Sequence, residues 1–324
     1  MTLFLWLGPI VLLLLVLGFV TYAILAERKV IGWIQNRVGP NQVGPWGLLQ
    51  TVADVAKLLM KEDIIPQKSD REIFKIAPII AYVPAFAVLA VLPFTDTLKF
   101  ADLGVGLLYY FAVSSITTIG IILGGWASNN KYALLGGMRS AAQMISYEIP
   151  LVMSVVGIVL TTGSLNLTRI VEAQQDLWFI VPQFLGFVIF LISSLAELNR
   201  TPFDLPEAES ELVAGYHVEY TGFRFAFFML AEYVYVFAMS SLITILFLGG
   251  WNPLFGWTFI PAIIWFLLKF SFMVFFLFWV RATMPRLRTD QLMEFAWKVL
   301  LPVALLNILL TAILKEVPFF QNFY

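Results

Sequence analysis

The 324-residue sequence contains no cysteine and only one histidine, His217. Without thiols the chain cannot form disulfides, thiolate metal sites or cysteine-ligated iron–sulfur clusters. One imidazole is too few for a haem pair or a zinc site. The sequence also lacks a nucleotide-binding glycine fingerprint and any Ser/His/Asp grouping. These absences predict no metal centre in this chain.

Charge is scarce as well: only 13% of the residues are charged, and the net charge is −1. This balance creates no bulk field that would attract nucleic acid. In contrast, 60% of the residues are hydrophobic, including 30 Phe and 10 Trp, which is more than one soluble core requires. The composition predicts an integral membrane protein.

Apolar stretches of about 20 residues, the length that a spanning helix requires, recur along the whole chain. They predict an all-α protein with about eight transmembrane helices, near residues 3 to 26, 73 to 94, 104 to 127, 140 to 163, 177 to 198, 223 to 250, 257 to 281 and 291 to 314. The first stretch lacks a basic leader and a small-residue cleavage site, so we expect a retained helix. No linker or repeat divides residues 1–324, which predicts a single polytopic domain.

The distribution of basic residues predicts the orientation of these spans. If the loop after the first span lies inside, sixteen of the 20 Lys and Arg residues lie inside and three, Lys99, Arg169 and Lys315, lie outside. Lys269 falls within a span. Because basic residues are enriched in cytoplasmic loops, both termini are expected on the outer side.

The polar region from 27 to 72 contains one amphipathic segment. Leu48, Val52, Val55 and Leu59 recur at helical spacing after two Gly-Pro turns. We expect an interfacial helix, which either lies passively on the headgroups or forms a wall of a lipid-accessible entrance.

Four ionisable residues fall inside predicted spans, where each is costly unless it is paired or hydrated: Glu148, Glu197, Glu232 and Lys269. Pro150 weakens the helix beside Glu148, which favours a proton-accepting carboxylate there, although a structural glutamate is the alternative. Glu197 lies three residues before Arg200 and could form an interface ion pair. Lys269 could pair with Glu232.

An acidic segment between two spans, NRTPFDLPEAESELVAGYHVEY, contains Asp204, Glu207, Glu209, Glu211 and Glu219. Pro206 predicts a helix start, and on that helix Glu207 and Glu211 share a face while Glu209 points elsewhere. Two close carboxylates raise each other's proton affinity, so this cluster could exchange protons. A solvated acidic loop is the alternative.

Polar and aromatic residues also collect at the inner end of the first span, where Glu27, Arg28 and Arg37 surround Trp33. Residues 281 to 298 form a second basic rim with Asp290. Membrane anchoring alone could explain both rims.

Four long segments, in order, resemble signature segments of one family, the membrane subunits of respiratory complex I that comprise the bacterial H subunit and mitochondrial subunit 1. They are AERKVIGWIQNRVGPNQVGPWGLLQTVADVAKLLMKED, GWASNNKYALLGGMRSAAQMISYEIP, LAELNRTPFDLPEAESELVAGYHVEY and RATMPRLRTDQLMEFAWK. The resemblance extends from about residue 20 to 310.

The resemblance implies a subunit of proton-translocating NADH:quinone oxidoreductase in an energy-transducing membrane, expected to be a bacterial plasma membrane. NADH, flavin and iron–sulfur clusters would belong to partner subunits, with quinone as the substrate. Quinone-reducing hydrophilic subunits would dock at the inner face, and small membrane subunits would lie beside the chain. Carried over by motif, the quinone-binding residues are Glu27, Arg28, Trp33, Arg37, Asp54 and Arg281. The proton path would comprise Glu148, Glu197, Asp204, Glu207, Glu209, Glu211 and Glu232.

Two other functions fit parts of the pattern. The corresponding subunit of a membrane-bound hydrogenase would look similar without serving a quinone tunnel. An autonomous proton-coupled transporter would also carry intramembrane acids and Lys269, although the missing repeat and the polar region from 27 to 72 argue against it.

Overall fold

The computed structural model describes residues 2–204, 212–253 and 259–317, and those residues form helices and turns without a strand. In chain order the α-helices are α1 Thr2–Ile34, α2 Gln50–Met60, α3 Arg71–Ala87, α4 Gly106–Ser114, α5 Ile116–Ala127, α6 Lys131–Thr162, α7 Leu167–Glu172, α8 Phe184–Glu197, α9 Gly222–Phe247, α10 Ala262–Thr283, α11 Thr289–Glu294 and α12 Leu301–Glu316. Short 3-10 segments are Pro45–Gly47, Val88–Val91 and Gly215–His217. A π-helical turn, Phe295–Leu300, joins α11 to α12.

Seven helical segments in the described part of the chain are long and apolar enough to cross a membrane. They are Gly8–Ile34, Arg71–Val91, Gly106–Ala127, Lys131–Thr162, Gly222–Phe247, Ala262–Thr283 and Thr289–Glu316. Each coincides with one of the predicted spans. The all-helical membrane architecture is therefore confirmed, with seven long apolar helices.

The fifth predicted span, 177 to 198, corresponds to the shorter helix α8, which has 14 residues. At about 1.5 Å per residue such a helix is shorter than the hydrocarbon core. Its first predicted turns are replaced by a non-helical segment that Gln174 holds in place. The Gln174 amide donates to the carbonyls of Ile170 and Ile245 and accepts from the Phe179 and Gly249 amides.

Helix α6 begins nine residues before the predicted fourth span because of a polar cap. The Asn130 side chain accepts a hydrogen bond from the Tyr132 amide at 2.9 Å, which satisfies one of the free donors at the helix start. The helix ends at Gly163, whose φ of 67° lies in the left-handed region that favours glycine. Between these ends α6 continues through Pro150, the proline beside Glu148.

Helix α9 lies at the centre of the protein. In the most apolar 18-residue stretch of α9, 78% of the residues are buried inside the protein. The corresponding share is 28% for the span Gly8–Ile34 and 22% for the span Thr289–Glu316. Helix α9 packs against α1, α3 and α10, while α6 packs against α5, α8 and α12. Acidic side chains on α6, α8 and α9 therefore face the protein interior rather than lipid, which is where a functional intramembrane acid must lie.

Helix α2 has an apolar face without a protein partner. Val52, Val55 and Leu59 are 51%, 44% and 61% exposed, although α2 packs against α1 and α9 along another face. An amphipathic helix that is apolar toward the outside suits the membrane interface, as the sequence pattern predicts. The interfacial location remains a prediction.

The orientation predicted from the basic residues can be tested directly, because the chain has no cysteine of its own. Asn41 and Thr97 are both exposed. We expect Asn41→Cys to react with an impermeant thiol reagent only from the inner side and Thr97→Cys only from the outer side. Labelling of both from the same side would contradict the assignment.

Candidate functional site

Glu27, near the C-terminal end of α1, is buried between two arginines. Its Oε2 atom accepts hydrogen bonds from Arg200 Nη1 at 2.5 Å and from Tyr233 Oη at 2.9 Å. Its Oε1 atom accepts from Arg281 Nη1. The Glu27 side chain is 4% exposed and that of Arg200 is 2% exposed. A carboxylate so far from water is stabilised by these charge-assisted hydrogen bonds.

Arg200 connects Glu27 to Glu232 on α9. Arg200 Nη2 lies 2.8 Å from Glu232 Oε1, and the guanidinium lies 4.5 Å from the centre of the Tyr233 ring. Two residues predicted for different roles, Glu27 at the quinone rim and Glu232 in the proton path, therefore share one cation. A change in charge at one carboxylate reaches the other through Arg200, because electrostatic screening is weak in a buried site.

The position of Arg200 follows from a sharp turn at the end of α8. Asn199 adopts a left-handed conformation with φ of 49°, which asparagine tolerates better than most residues. The buried Gln143 amide of α6 fixes this turn by donating to Ala196 O at 2.8 Å, to Phe203 O at 2.7 Å and to Asn199 Oδ1 at 3.1 Å. The turn directs Arg200 toward α1 and α9 and away from Glu197.

Asp204 extends the ion cluster toward the half-exposed side chain of Arg286. Its Oδ2 atom accepts a hydrogen bond from Arg286 Nη2 at 3.1 Å. Burial raises the pKa of the Asp204 carboxyl, and the charges of Arg286 and Arg281 oppose that rise. The cluster thus has three carboxylates, Glu27, Asp204 and Glu232, and three arginines, Arg200, Arg281 and Arg286. The opposing charges balance, so the protonation of one carboxylate alters the whole set.

Arg28 and Asp54 join α1 to the interfacial helix α2. Arg28 Nη1 donates to Asp54 Oδ2 at 2.7 Å, and Gln50 Nε2 lies 3.3 Å from Asp54 Oδ1. The Arg28 side chain is 45% exposed and that of Asp54 is 27% exposed. Unlike Glu27, this pair is accessible from outside the protein.

Trp33 and Arg37 line two different pockets near this salt bridge. Trp33 is 65% exposed and lines an apolar groove of about 340 Å³ with Tyr22, Trp46 and Leu48. Arg37 lies in a polar cleft of about 760 Å³, whose lining also includes Arg28, Gln42 and Gln50. An apolar groove and a polar cleft formed by the same stretch of chain are suited to a ligand with a long apolar tail and a polar head.

Glu148 and Glu197 form a second acidic group, deeper among the helices. Each is a charged neighbour of the other, Glu148 on α6 and Glu197 at the end of α8. The adjacent residues Ser114 and Ser115, at the break between α4 and α5, lie close to Glu197 and Glu148, and both hydroxyls donate to the carbonyl of Phe111. One oxygen of Glu197, Oε2, is buried without a hydrogen-bond partner in the described part of the chain. The Glu197–Arg200 ion pair that the sequence left open is not formed, because Arg200 bonds to Glu27 and Glu232.

A cavity of about 40 Å³ lies between Glu197 and Glu232 and is lined by both. Other lining residues are Thr117, Met144, Asn199 and Tyr235. A site that offers this volume and several polar partners can hold water. One acid of each group, Glu232 of the ion cluster and Glu197 of the second group, therefore lines this cavity.

The pairing of Lys269 with Glu232, which the sequence left open, is not formed. Lys269 Nζ donates to the carbonyls of Leu248, Gly250 and Asn252 at 2.6, 3.0 and 2.7 Å, and it lies 4.0 Å from the centre of the Trp178 ring. These carbonyls follow the end of α9, where a cation is favourable. Lys269 thus caps the opposite end of the helix from Glu232.

The acidic segment is only partly described. Glu207, Glu209 and Glu211 lie outside the described residues, and so does the predicted helix face shared by Glu207 and Glu211. Glu219 accepts a hydrogen bond from Asn130 Nδ2 at 2.7 Å, at the start of α6. Burial lowers the pKa of His217, in the same loop, to about 4, so this imidazole is neutral near pH 7.

Several residues of this site were not predicted from the sequence. Arg286 and Tyr233 complete the ion cluster, Gln143 positions the turn before Asp204, and Thr117 and Tyr235 line the cavity. One signal was present in the sequence: SSITT, residues 114 to 118, is a run of hydroxyl residues within an otherwise apolar span. Neutral Gln and Tyr residues carry no comparable signal.

Comparison with known proteins assigns the chain to a family. A family model described as NADH dehydrogenase matches residues 8–312. The chain is 72% identical to the H subunit of the NADH-quinone oxidoreductase of Brevibacillus brevis, over 99% of this chain and 95% of the relative. It is 71% identical to the H subunit from Anoxybacillus flavithermus over 95% and 93%, and 70% identical to that from Bacillus mycoides over 98% and 96%. The chain belongs to the NADH dehydrogenase family, together with the H subunits of these bacterial NADH-quinone oxidoreductases.

Proposed function

We propose that this chain builds the membrane part of a quinone site and links that site to a proton path through its buried acids. The chain is a membrane-arm subunit of NADH:quinone oxidoreductase, as its family and its 70–72% identical relatives indicate. It is a multi-pass bacterial membrane protein, and we place it in the plasma membrane. Flavin, iron–sulfur clusters and NADH belong to partner subunits, in keeping with the absence of cysteine from this chain.

The quinone site would begin at the groove beside α1 and α2. The apolar groove around Trp33 suits the tail, and the polar cleft that contains Arg28 and Arg37 suits the headgroup. Arg28 lines the cleft, and its salt bridge to Asp54 joins α2 to α1. Partner subunits at the inner face would close the tunnel over this surface.

The proton path would begin at the ion cluster. Reduction of the headgroup places negative charge near Arg281 and Arg28, which weakens their hold on the neighbouring carboxylates. Glu27 and Glu232 share Arg200, so the change in proton affinity extends to α9. From Glu232 the cavity leads to Glu197, and Glu197 is a neighbour of Glu148. Glu207, Glu209 and Glu211 would extend the path at its inner end.

The observation that carries this proposal is the shared cation. Arg200 contacts one carboxylate beside the groove helix α1 and one carboxylate that lines the internal cavity. A purely structural ion pair would not need to reach both places. This arrangement lets a charge formed in the quinone site alter a proton on α9 with no change of bonds in this chain.

The quinone-binding part of the proposal is tested by Arg28→Ala in the assembled complex. We expect the KM for quinone to rise about fivefold to tenfold, because a charge-assisted hydrogen bond is lost at a partly exposed site. NADH oxidation with an artificial hydrophilic acceptor should be unchanged, because that reaction bypasses this chain.

Two further variants sharpen this test. Asp54→Ala should resemble Arg28→Ala, and the double variant should be little worse than either, since both residues act through one salt bridge. The matched control is Lys57→Ala, which removes an exposed cation from α2 and should change the KM by less than about twofold. Normal quinone kinetics in Arg28→Ala would remove this pair from the quinone site.

A further inference from the structure

Two hydroxyl groups from different helices meet at the wall of the cavity between Glu197 and Glu232. Thr117 Oγ1 of α5 and Tyr235 Oη of α9 are 2.5 Å apart, and either atom can be the donor. Both residues line the cavity and are buried, with 4% of Thr117 and 8% of Tyr235 exposed. The proton path does not otherwise use this pair.

The break between α4 and α5 supplies a third oxygen that can only accept. The carbonyl oxygen of Ser114, the last residue of α4, lies 3.4 Å from Tyr235 Oη. Tyr235 has one hydroxyl proton and two acceptors within reach, Ser114 O and Thr117 Oγ1. The direction of the hydrogen bond between the two hydroxyls therefore depends on which acceptor Tyr235 uses.

These choices define two arrangements of the hydroxyl protons. When Tyr235 donates to Ser114 O, Thr117 donates to Tyr235, and the pair offers lone pairs to the cavity. When Tyr235 donates to Thr117, the Thr117 proton is released from the pair and can be donated into the cavity. The side chains need not move between the two arrangements, because hydroxyl protons rotate freely.

We propose that Thr117 and Tyr235 are positioning residues that form a two-state hydroxyl switch, which orients water between Glu197 and Glu232. This inference rests on the proposed proton path. It adds a pair of side chains that sets the direction of proton transfer between the two glutamates. Water accepts from the pair in one arrangement and donates to it in the other. The orientation of that water decides which carboxyl it can protonate.

The proton balance of one transfer is simple. Protonated Glu232 gives its proton to the cavity water, and the same water gives a different proton to the Glu197 carboxylate. Glu232 becomes a carboxylate, Glu197 becomes a carboxylic acid, and the water is regenerated in the opposite orientation. Thr117 and Tyr235 each keep one proton, and their hydrogen bonds reverse with the water.

The switch is tested by Thr117→Val, Thr117→Ser and Tyr235→Phe in the assembled complex. Valine keeps the shape of threonine without the hydroxyl, and serine keeps the hydroxyl. We expect Thr117→Val and Tyr235→Phe each to lower quinone-coupled turnover about fivefold to tenfold and to increase its solvent deuterium isotope effect. Thr117→Ser should retain most of the turnover, and the Val/Phe double variant should match either single variant.

Matched controls are Thr244→Val and Tyr109→Phe. The Thr244 hydroxyl is buried and bonds to Ser240 O in its own helix, and Tyr109 lies on α4 away from the cavity lining. Both should keep normal turnover and a normal isotope effect.

If Tyr235→Phe prevents assembly, the Thr117 variants alone decide whether the switch exists. Normal turnover with a normal isotope effect in Thr117→Val would overturn the switch, and so would equal losses in Thr117→Val and Thr117→Ser. If Glu197→Gln lowers quinone-coupled turnover while Thr117→Val keeps normal turnover, the switch is rejected and the proton path is retained.

Discussion

Replacing Arg200 by Met is expected to remove most of the assembled complex from the membrane. Arg200 is 2% exposed and holds Glu27 and Glu232 at 2.5 and 2.8 Å, so its loss leaves two carboxylates without their shared cation. Breaking a buried ion pair by removing one partner costs about 3 to 5 kcal/mol. Because folded proteins are stable by only about 5 to 15 kcal/mol, we expect less than about a tenth of the normal amount of complex. Immunodetection of the complex on native gels measures this amount.

A second substitution separates charge from packing. In Arg200→Met the cluster keeps three carboxylates and two arginines, whereas Glu27→Gln combined with Arg200→Met restores two of each. The double variant should therefore assemble better than Arg200→Met alone. Arg288→Met is the matched control, since that side chain is 81% exposed, lies outside the cluster and should be tolerated when lost. A double variant no better than Arg200→Met would show that Arg200 acts by packing.

Long apolar spans and acids within them could be predicted from the sequence, because each has a strong physical cause. A spanning helix needs about 20 apolar residues, and an intramembrane carboxylate is too costly to occur without a role or a partner. Within the described residues, seven long apolar helices appear at the predicted places. All three intramembrane acids lie among packed helices. Glu232 pairs with Arg200, Glu197 and Glu232 line the internal cavity, and Glu148 lies near Glu197.

Pairing partners were harder to predict, because they depend on how the helices pack in three dimensions. Arg200 is three residues from Glu197 but bonds to Glu27, 173 residues away, because the turn at Asn199 reverses its direction. By charge alone Lys269 could have paired with Glu232, but it binds the carbonyls after the end of α9, beyond Glu232 along that helix. Charge and spacing show that an intramembrane ion needs a partner. They do not show at which position along a neighbouring helix that partner lies.

The early part of the fifth predicted span illustrates a different limit. Residues 177 to 183 are as apolar as a helix start requires, yet the buried Gln174 amide holds this region in turns by bonding to α9 and to the loop after it. A buried amide forms these bonds only after distant helices have packed. Hydropathy averages over such a residue and so extends the span too far.

Glu197→Gln and Glu232→Gln are expected to have the second large effect. Glutamine keeps the size of glutamate and removes its titration, so assembly should be preserved while the proton path is interrupted. We expect quinone-coupled turnover to fall on the order of tenfold to 100-fold, which is typical of losing a positioned proton acceptor. The control is Glu72→Gln on α3, a carboxylate that is 77% exposed. Proton release per electron in proteoliposomes should fall with turnover, and normal values of both would contradict the path.

The central claim is that carboxyl groups of this chain change their protonation when quinone is reduced. Infrared difference spectra of the assembled complex, recorded as NADH reduces quinone, measure this change through the C=O stretching band of carboxylic acids. Our account predicts such a band in the wild-type complex and the loss of part of it in both Glu197→Gln and Glu232→Gln, with Glu72→Gln unchanged. An identical band in all four complexes would contradict the account, because neither buried glutamate would then respond to the quinone.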